Sequence, residues 1–156
     1  MDLLKTLKKF NSIQLNLEAK NWQEAIWLSV QPLIEKNAIT QDYYNAIIES
    51  TIKNGPYYII ANDLAMPHAQ SERGVKENAF SLITLKKPVF FDNDDRPVRI
   101  LIALAATSPE IHTSVALPQI VATFEDESVV KQILQAKEAQ QVIDIILNID
   151  FKKYLS

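Results

Sequence analysis

The alternation of apolar and polar positions divides the chain into a helical part, a strand-rich part and a second helical part. SIQLNL (12–17) alternates and predicts a half-buried strand, and helical patterns follow it as far as Asn54. Three short apolar or alternating runs then predict strands: YYIIA (57–61), AFSLITL (79–85) and VRILIALAA (98–106). The last run is apolar enough to be buried on both faces of a sheet. Helices, then mainly strands, then helices again predict a mixed sheet covered by helices.

Start and stop signals place the ends of two helices before the central strands. Asn21 is the predicted N-cap of NWQEAIWLSVQPLIEKN, with Glu24 three residues on as a capping box requires, and Pro32 is expected to bend this helix. Thr40 opens a second helix, which Gly55-Pro56 ends. Both helices are therefore expected to end before the run at YYIIA.

A stronger start signal follows the last predicted strand. In SPEIHTSVALPQIVATF, Ser108 is the predicted N-cap, Pro109 suits the first helical position and Glu110 favours the first turn. Two further helical patterns follow, ESVVKQILQA and EAQQVIDIIL. The segment FDNDDRP (91–97) predicts the turn between the last two strands.

Composition and charge exclude several classes of protein. The 156 residues suit one domain, which buries roughly 70% of its unfolded surface. The net charge of −3 and the pI near 5.4 argue against a nucleic-acid partner. The absence of cysteine excludes disulfides, thiol catalysis and thiolate metal sites. No apolar run approaches the length of about 20 residues that spans a bilayer, so we expect a soluble, cytoplasmic protein without membrane insertion.

Sequence motifs for nucleotide binding and for serine hydrolysis are missing. The chain has no glycine-rich phosphate loop and no G-x-S-x-G elbow. The acidic run DNDD (92–95) lacks the spacing and the terminal glutamate of a calcium loop, so we expect it to face solvent. The remaining candidates for chemistry are the two histidines, His68 and His112.

The backbone that carries His68 is conformationally restricted. Pro67 locks its own φ and restricts Met66 to extended geometry, so the direction of the following imidazole is constrained. The small residues Ala65 and Ala69 would let a partner surface come close. Loops at strand ends commonly carry the functional groups of α/β proteins.

His112 lies in a helical segment that favours anions. With Ser108 as N-cap, it falls in the first or second turn, near N–H groups that have no helical partner and that attract phosphate. A neutral imidazole, with an ordinary pKa near ~6.5, is nucleophilic at pH 7 without a separate base. Two such histidines suit phosphoryl transfer through a phosphohistidine if they meet; a surface or hydrogen-bonded core role is the alternative for each.

Two segments carry a family resemblance. LAMPHAQSERGVKENAFSLITLKKPVFF, followed by PVRILIALAATSPEIHTSVALPQI, resembles the enzyme IIA component of the bacterial sugar phosphotransferase system (PTS), in its mannitol/fructose type (EIIA type-2). Within that family it is most similar to the L-ascorbate-specific branch. The resemblance is clearest from Trp22 to Leu147 and rests on an A-x-P-H turn, a P-V pair, the LIALAA strand and a helix with a second histidine.

The resemblance implies an α/β fold and a role in phosphoryl transfer. The expected fold is a single domain over residues 1–156, with a mixed, mostly parallel β-sheet flanked by helices on both faces. His68 matches the histidine that accepts a phosphoryl group from the phosphocarrier HPr and passes it to a cysteine of the cognate enzyme IIB, which serves the membrane enzyme IIC. His112 matches the histidine that stabilises the phosphoryl group. The implied sugar is L-ascorbate, and the implied transfer uses no metal and no organic cofactor.

The chain departs from the family pattern beside His68. Ala69 stands where mannitol-type and fructose-type members usually carry glycine, as in the ascorbate branch. Gln70 and Ser71 stand where that branch commonly has arginine and proline. The helix before the turn lacks the arginine that mannitol-type members use, which leaves Arg73 as the candidate cation beside the phosphoryl group.

Two other functions stay open at this point. One is a regulatory module of the nitrogen type, whose phosphorylation state controls partner proteins. The other is a metal site that uses both histidines and Glu72, although neither histidine has the close helical partner typical of such sites. For either form of EIIA, Leu64 and Met66 are candidates for an apolar docking patch, with burial in the core as the alternative.

Overall fold

The apolar runs form strands close to where the sequence predicts them. The computed structural model, which describes residues 1–149, contains one five-stranded sheet. In chain order its strands are β1 (Ile13–Leu17), β2 (Ile59–Ala61), β3 (Asp63–Ala65), β4 (Ala79–Val89) and β5 (Val98–Ala105). The predicted strands β1, β2, β4 and β5 are confirmed. No pattern predicts β3, because three residues are too few to display a period.

The sheet is mixed, as predicted, but its parallel pairs do not predominate. The order across the sheet is β1-β4-β5-β3-β2. β1 pairs with β4 and β3 with β5 in parallel, whereas β4 pairs with β5 and β2 with β3 in antiparallel fashion. The expectation of a mostly parallel sheet is therefore wrong. Its physical reason is the short connections: Asn62 alone joins β2 to β3, and residues 90–97 join β4 to β5, and tight links of this kind produce antiparallel neighbours.

Helices occupy the parts of the chain before and after the central strands. In chain order the α-helices are α1 (Leu3–Lys9), α2 (Trp22–Glu35), α3 (Gln41–Asn54), α4 (Pro109–Ile111), α5 (Leu117–Phe124), α6 (Glu127–Gln135) and α7 (Ala139–Leu147). A π-helical turn (His112–Ala116) joins α4 to α5, so the helix predicted from Ser108 to Phe124 is not a single α-helix. Among the described residues, no helix combines the length and the apolar character that a membrane crossing needs.

The predicted boundary residues lie at the ends of their helices, but Thr40 makes no side-chain cap bond, and Glu24 accepts the N–H of Lys20 and does not complete a capping box with Asn21. The side chain of Asn21 accepts the N–H of Glu24 at 2.9 Å, which caps α2. Pro32 lies inside α2 without ending it. Gly55, with φ of 78°, follows α3 in a conformation that glycine adopts at little cost. Ser108 caps the helical segment that begins at Pro109 by accepting the N–H of Ile111 at 3.2 Å.

Both faces of the sheet are covered by helices, as expected. Along β5, Ile100, Ile102 and Leu104 point to the face that packs on α1, α5, α6 and α7. The alternate residues Leu101 and Ala103 point to the face that packs on α2 and α3. All five side chains are buried, which confirms the prediction that this strand is covered on both sides. Burial of each large aliphatic side chain contributes about 1.5–3 kcal/mol, so the central strands form a firm base for the loops at their ends.

Candidate active site

His68 and His112 lie against each other at one edge of the sheet. β3 and β5 are neighbouring parallel strands, so their carboxyl ends meet at the same edge. His68 follows the end of β3, and His112 follows the end of β5. Their ring centroids are 4.6 Å apart, and their ring planes are inclined at 47°. Strand order therefore brings together the two histidines that the sequence singles out.

Backbone hydrogen bonds hold the turn that carries His68. On one side, the N–H of Met66 donates to the carbonyl of Tyr58 at 2.9 Å. On the other, the N–H of Leu104 in β5 donates to the carbonyl of Pro67 at 3.0 Å. Because these bonds are made on both sides of a residue whose φ is already locked, the turn is an extension of the sheet.

A buried tyrosine fixes the residue after His68. The hydroxyl of Tyr43, in α3, donates to the carbonyl of Leu104 at 2.6 Å and accepts the N–H of Ala69 at 3.1 Å. The side chain is fully buried, and burial raises the pKa of the Tyr43 hydroxyl far above its usual range, so its proton stays in place. Sequence reasoning missed this role, because the spacing of Tyr43 in a helix is that of an ordinary core residue.

A second tyrosine forms a wall beside the imidazole. The ring of Tyr57 stands edge-on to the ring of His68, with centroids 5.3 Å apart. Its hydroxyl donates to the carbonyl of His68 at 2.9 Å. The side chain remains 48% exposed, so it also faces the surface that a partner would approach. Sequence reasoning assigned Tyr57 only to a strand, but its position directly after Gly55-Pro56 is a turn signal that points to the loop.

One ring nitrogen of His68 is hydrogen-bonded to the backbone. Nδ1 lies 2.8 Å from the carbonyl oxygen of Met66. Because a carbonyl only accepts, Nδ1 carries the proton and Nε2 keeps the free lone pair. Burial lowers the pKa of His68 to about 4, an effect opposed by the bond to Met66 and increased by the nearby His112. The ring is therefore neutral at pH 7, with its nucleophilic nitrogen unprotonated.

His112 completes the pair from the start of the π-helical turn. Its side chain is partly buried, and this burial lowers the pKa of His112 below its usual value. Near pH 7 the ring is therefore neutral and offers one N–H donor and one acceptor. Because neither ring is positively charged, His112 can donate its N–H to an incoming anionic group without electrostatic repulsion between the two imidazoles.

A cavity of about 770 Å³ opens beside the two rings. Its walls come from the carboxyl-terminal part of α3, from the turn at residues 68–73 and from the segment that begins at Ser108. The charged side chains in these walls are Glu49, Lys53, Glu72 and Arg73. A cavity of this size admits a phosphoryl group together with the side chain that delivers it.

The charge of Arg73 is already committed to two carboxylates of α3. Its guanidinium makes a bidentate pair with Asp42, with Nε to Oδ2 at 2.8 Å and Nη2 to Oδ1 at 3.0 Å. Its Nη1 also lies 2.8 Å from Oε2 of Glu49. Lys53, by contrast, makes no ion pair with another residue of the 1–149 range. Arg73, the cation that the sequence suggests, is therefore already paired with carboxylates, whereas Lys53 lines the same cavity without such a pair.

The turn after His68 closes tightly against the start of α3. The N–H of Thr40 donates to the carbonyl of Gly74 at 2.9 Å. Gly74 has φ of 109°, and a Cβ at this position would lie 2.1 Å from the Thr40 hydroxyl oxygen. Gln70 and Ser71, the two departures from the family pattern, both line the cavity, and Gln70 is exposed. They are therefore placed where they can contact a partner.

Two other sequence interpretations fail. Leu64 and Met66 are 1% and 3% exposed, so they belong to the core and cannot form a docking patch. Within residues 1–149, no three histidine, aspartate or glutamate side chains are grouped as a metal site requires, so His68, His112 and Glu72 do not form one. The exposed aromatic side chain beside the imidazole is that of Tyr57.

Comparison with known proteins agrees with the resemblance seen in the sequence. A family model described as "Phosphoenolpyruvate-dependent sugar phosphotransferase system, EIIA 2" matches residues 6–149. The chain is 46% identical over 156 residues to the ascorbate-specific PTS system EIIA component of Mycoplasma pneumoniae, and the match covers 100% of this chain and 98% of that protein.

Solved structures share the fold over nearly the whole chain. A putative PTS IIA (PtxA) from Streptococcus mutans is 48% identical with a TM-score of 0.94, covering 100% of this chain and 99% of that one. The mannitol-specific cryptic phosphotransferase enzyme IIA CmtB from Escherichia coli is 39% identical with a TM-score of 0.79, covering 90% and 97%. The chain therefore belongs to the EIIA 2 family of the phosphoenolpyruvate-dependent sugar phosphotransferase system.

Proposed function

We propose that this protein is a cytoplasmic phosphocarrier that accepts a phosphoryl group from phospho-HPr on Nε2 of His68 and passes it to a cysteine of its enzyme IIB. The observation that carries the proposal is the contact of 2.8 Å between Nδ1 of His68 and the carbonyl oxygen of Met66, which fixes the tautomer of the ring. Its Nδ1–H donates to the carbonyl of Met66, and its free Nε2 lies on a neutral ring beside His112. Such a ring is a nucleophile that needs no separate base.

The first transfer is a substitution at phosphorus. The Nε2 lone pair of His68 attacks the phosphorus of phospho-HPr, a new N–P bond forms, and the N–P bond of HPr breaks with its electrons returning to the HPr imidazole. Nδ1 keeps its proton, so the phosphorylated ring carries a positive charge beside the anionic phosphoryl group. The carbonyl of Met66 stabilises that charge through the existing hydrogen bond at 2.8 Å.

The second transfer reverses these changes at His68. The thiolate of the enzyme IIB cysteine attacks phosphorus, an S–P bond forms, and the N–P bond breaks. The electrons of that bond return to Nε2, which leaves as part of a neutral imidazole. Because Nδ1 is still protonated, the ring is a good leaving group, and the site returns to its starting state without a net proton change.

The surrounding residues position the phosphoryl group in this proposal. His112, with its ring centroid 4.6 Å from that of His68, donates its N–H to a phosphoryl oxygen. Lys53 supplies positive charge from the cavity wall, because Arg73 is paired with Asp42 and Glu49. Positioning and charge stabilisation are most of what phosphoryl transfer requires.

The proposed sugar is L-ascorbate, which the enzyme IIC of the same system would import. The full-length relative from Mycoplasma pneumoniae is ascorbate-specific at 46% identity. The mannitol-specific CmtB is 39% identical over a smaller share of the chain, so mannitol is the alternative sugar. Since enzyme IIA hands its phosphoryl group to a protein, specificity is expressed through the choice of enzyme IIB.

Radiolabelled phosphoenolpyruvate, with purified enzyme I and HPr, tests the assignment of His68. The parent protein should take up acid-labile label, His68→Ala should take up none, and His112→Ala should take it up more slowly. Label on His68→Ala would overturn the assignment. Phosphorylated protein is then mixed with ascorbate-type or mannitol-type enzyme IIB. Transfer to the former alone supports ascorbate, and transfer to neither would favour a regulatory module instead.

A further inference from the structure

The helix that carries His112 has one turn that is wider than an α-helical turn. The N–H of His112 donates to the carbonyl of Ser108, four residues back, at 3.1 Å. The N–H of Leu117 donates instead to the carbonyl of His112, five residues back. The wide turn therefore begins at the histidine itself. Wide turns of this kind are uncommon in helices and occur frequently at functional sites.

Pro118 supplies a chemical reason for this wide turn. Proline has no N–H, so it cannot donate to the carbonyl of Ser114, four residues back, and its ring would collide with that carbonyl in a regular α-helix. In the structure Pro118 lies in the first turn of α5, where no N–H is required. The side-chain Nε2 of Gln119 donates to the carbonyl of Val115, the residue after Ser114, at 2.9 Å, and so adds a hydrogen bond to a carbonyl of the wide turn.

The wide turn sets the direction in which His112 points. α5 is held in the core by the buried residues Gln119, Ile120 and Thr123. One residue corresponds to about 100° of rotation around a helix, so a turn with one extra residue rotates everything before it relative to α5. In a regular α-helix of the same sequence, the His112 ring would point about 100° away from its present direction. It would then leave its contact with His68, now at 4.6 Å between centroids.

We propose that Pro118 is a positioning residue, which holds the π-helical turn and thereby points His112 at His68. Pro118 contributes no polar group to the cavity and acts only through the backbone. The geometric part of this proposal stands on the hydrogen bonds of the helix. Its effect on phosphoryl transfer rests on the function proposed above for the two histidines.

The test compares Pro118→Ala with the parent in two measurements. The first is the nuclear Overhauser effect between ring protons of His68 and His112 in the unphosphorylated protein, which we expect to weaken or vanish in the variant. The second is the single-turnover rate of phosphoryl uptake from phospho-HPr. We expect Pro118→Ala to slow it about tenfold in the parent and by less than about twofold in a His112→Ala background, because coupled residues are not additive.

Pro32→Ala is the matched control. Pro32 also lies inside a helix, but α2 packs on the opposite face of the sheet, so this variant should leave the contact and the rate unchanged. Circular dichroism confirms that each variant is folded. An unchanged contact between the rings in Pro118→Ala overturns the proposal, as does equal slowing in both backgrounds. If the parent itself takes up no phosphoryl group, the proposed function fails while the ring contact still decides the role of Pro118.

Discussion

Acid should destabilise the native protein through His68. Burial lowers the pKa of His68 to about 4 in the native state, against an ordinary value of 6.5. Between these values the unfolded chain binds a proton at this position and the native chain does not. The free energy of unfolding therefore decreases as pH falls through 6.5 towards 4, and above about pH 7 this contribution is nearly constant.

The size of this effect follows from the two pKa values. With pKa values of 6.5 and about 4, proton binding by the unfolded chain costs the native state about 2 kcal/mol at pH 5 and about 3 kcal/mol at pH 4. At pH 7 the same calculation leaves only about 0.2 kcal/mol, since the native state binds almost no proton and the unfolded chain is mostly unprotonated there. The same neutrality at pH 7 leaves a free lone pair on Nε2 of His68, as the proposed function requires.

Urea unfolding of the parent and of His68→Gln at pH 7 and pH 5 measures this effect. The variant lacks the titrating ring, so between pH 7 and pH 5 its free energy of unfolding should decrease by about 2 kcal/mol less than that of the parent. Carboxylates such as Asp94, whose pKa is lowered by Arg96, titrate in both proteins and cancel from the comparison. Parallel decreases in the two proteins would refute a buried, neutral His68.

Three further predictions follow from contacts around the site. Tyr43→Phe should lower the free energy of unfolding by about 1–3 kcal/mol in urea titrations, because the partly buried N–H of Ala69 and the buried carbonyl of Leu104 each lose a partner; a value near zero would contradict a stabilising role for these two hydrogen bonds. Lys53→Met should slow phosphoryl uptake from phospho-HPr about tenfold in single-turnover measurements, whereas the exposed control Lys131→Met should not. Gly74→Ala should cost more than about 1 kcal/mol in thermal unfolding, and Gly55→Ala less, since both have positive φ but only the first meets a close neighbour; equal costs would remove steric crowding as the cause.

Local patterns predict the elements of this fold better than their arrangement. Residues 12–17 alternate between apolar and polar side chains, and residues 79–85 and 98–106 are short and largely apolar, so each run identifies a strand from local sequence alone. The strand order depends on contacts between segments that are distant in the sequence. No short stretch of sequence therefore reveals that parallel and antiparallel pairs occur in equal numbers. The short β3, which carries His68 to its place, falls below the length at which a period is recognisable.

The chemistry of the site was partly predictable for the same reason. Pro67-His68 and the helix start at Ser108 are local signals, and both histidines lie in the cavity. Their contact depends on the pairing of β3 with β5, which no local signal reports. Tyr43 was missed because its role depends on hydrogen bonds to the distant residues of the turn, and its helical spacing is that of a core residue.

Nuclear magnetic resonance of the phosphorylated protein, labelled with ¹⁵N in histidine, is the sharpest test of the proposed phosphorylation at Nε2 of His68. The phosphorus coupling identifies which ring nitrogen carries the phosphoryl group, and the proton spectrum shows whether the other nitrogen is protonated. We expect phosphorus on Nε2 of His68, with Nδ1 still protonated and hydrogen-bonded to the carbonyl of Met66. Phosphorus on Nδ1 of His68, or on either nitrogen of His112, would contradict this expectation.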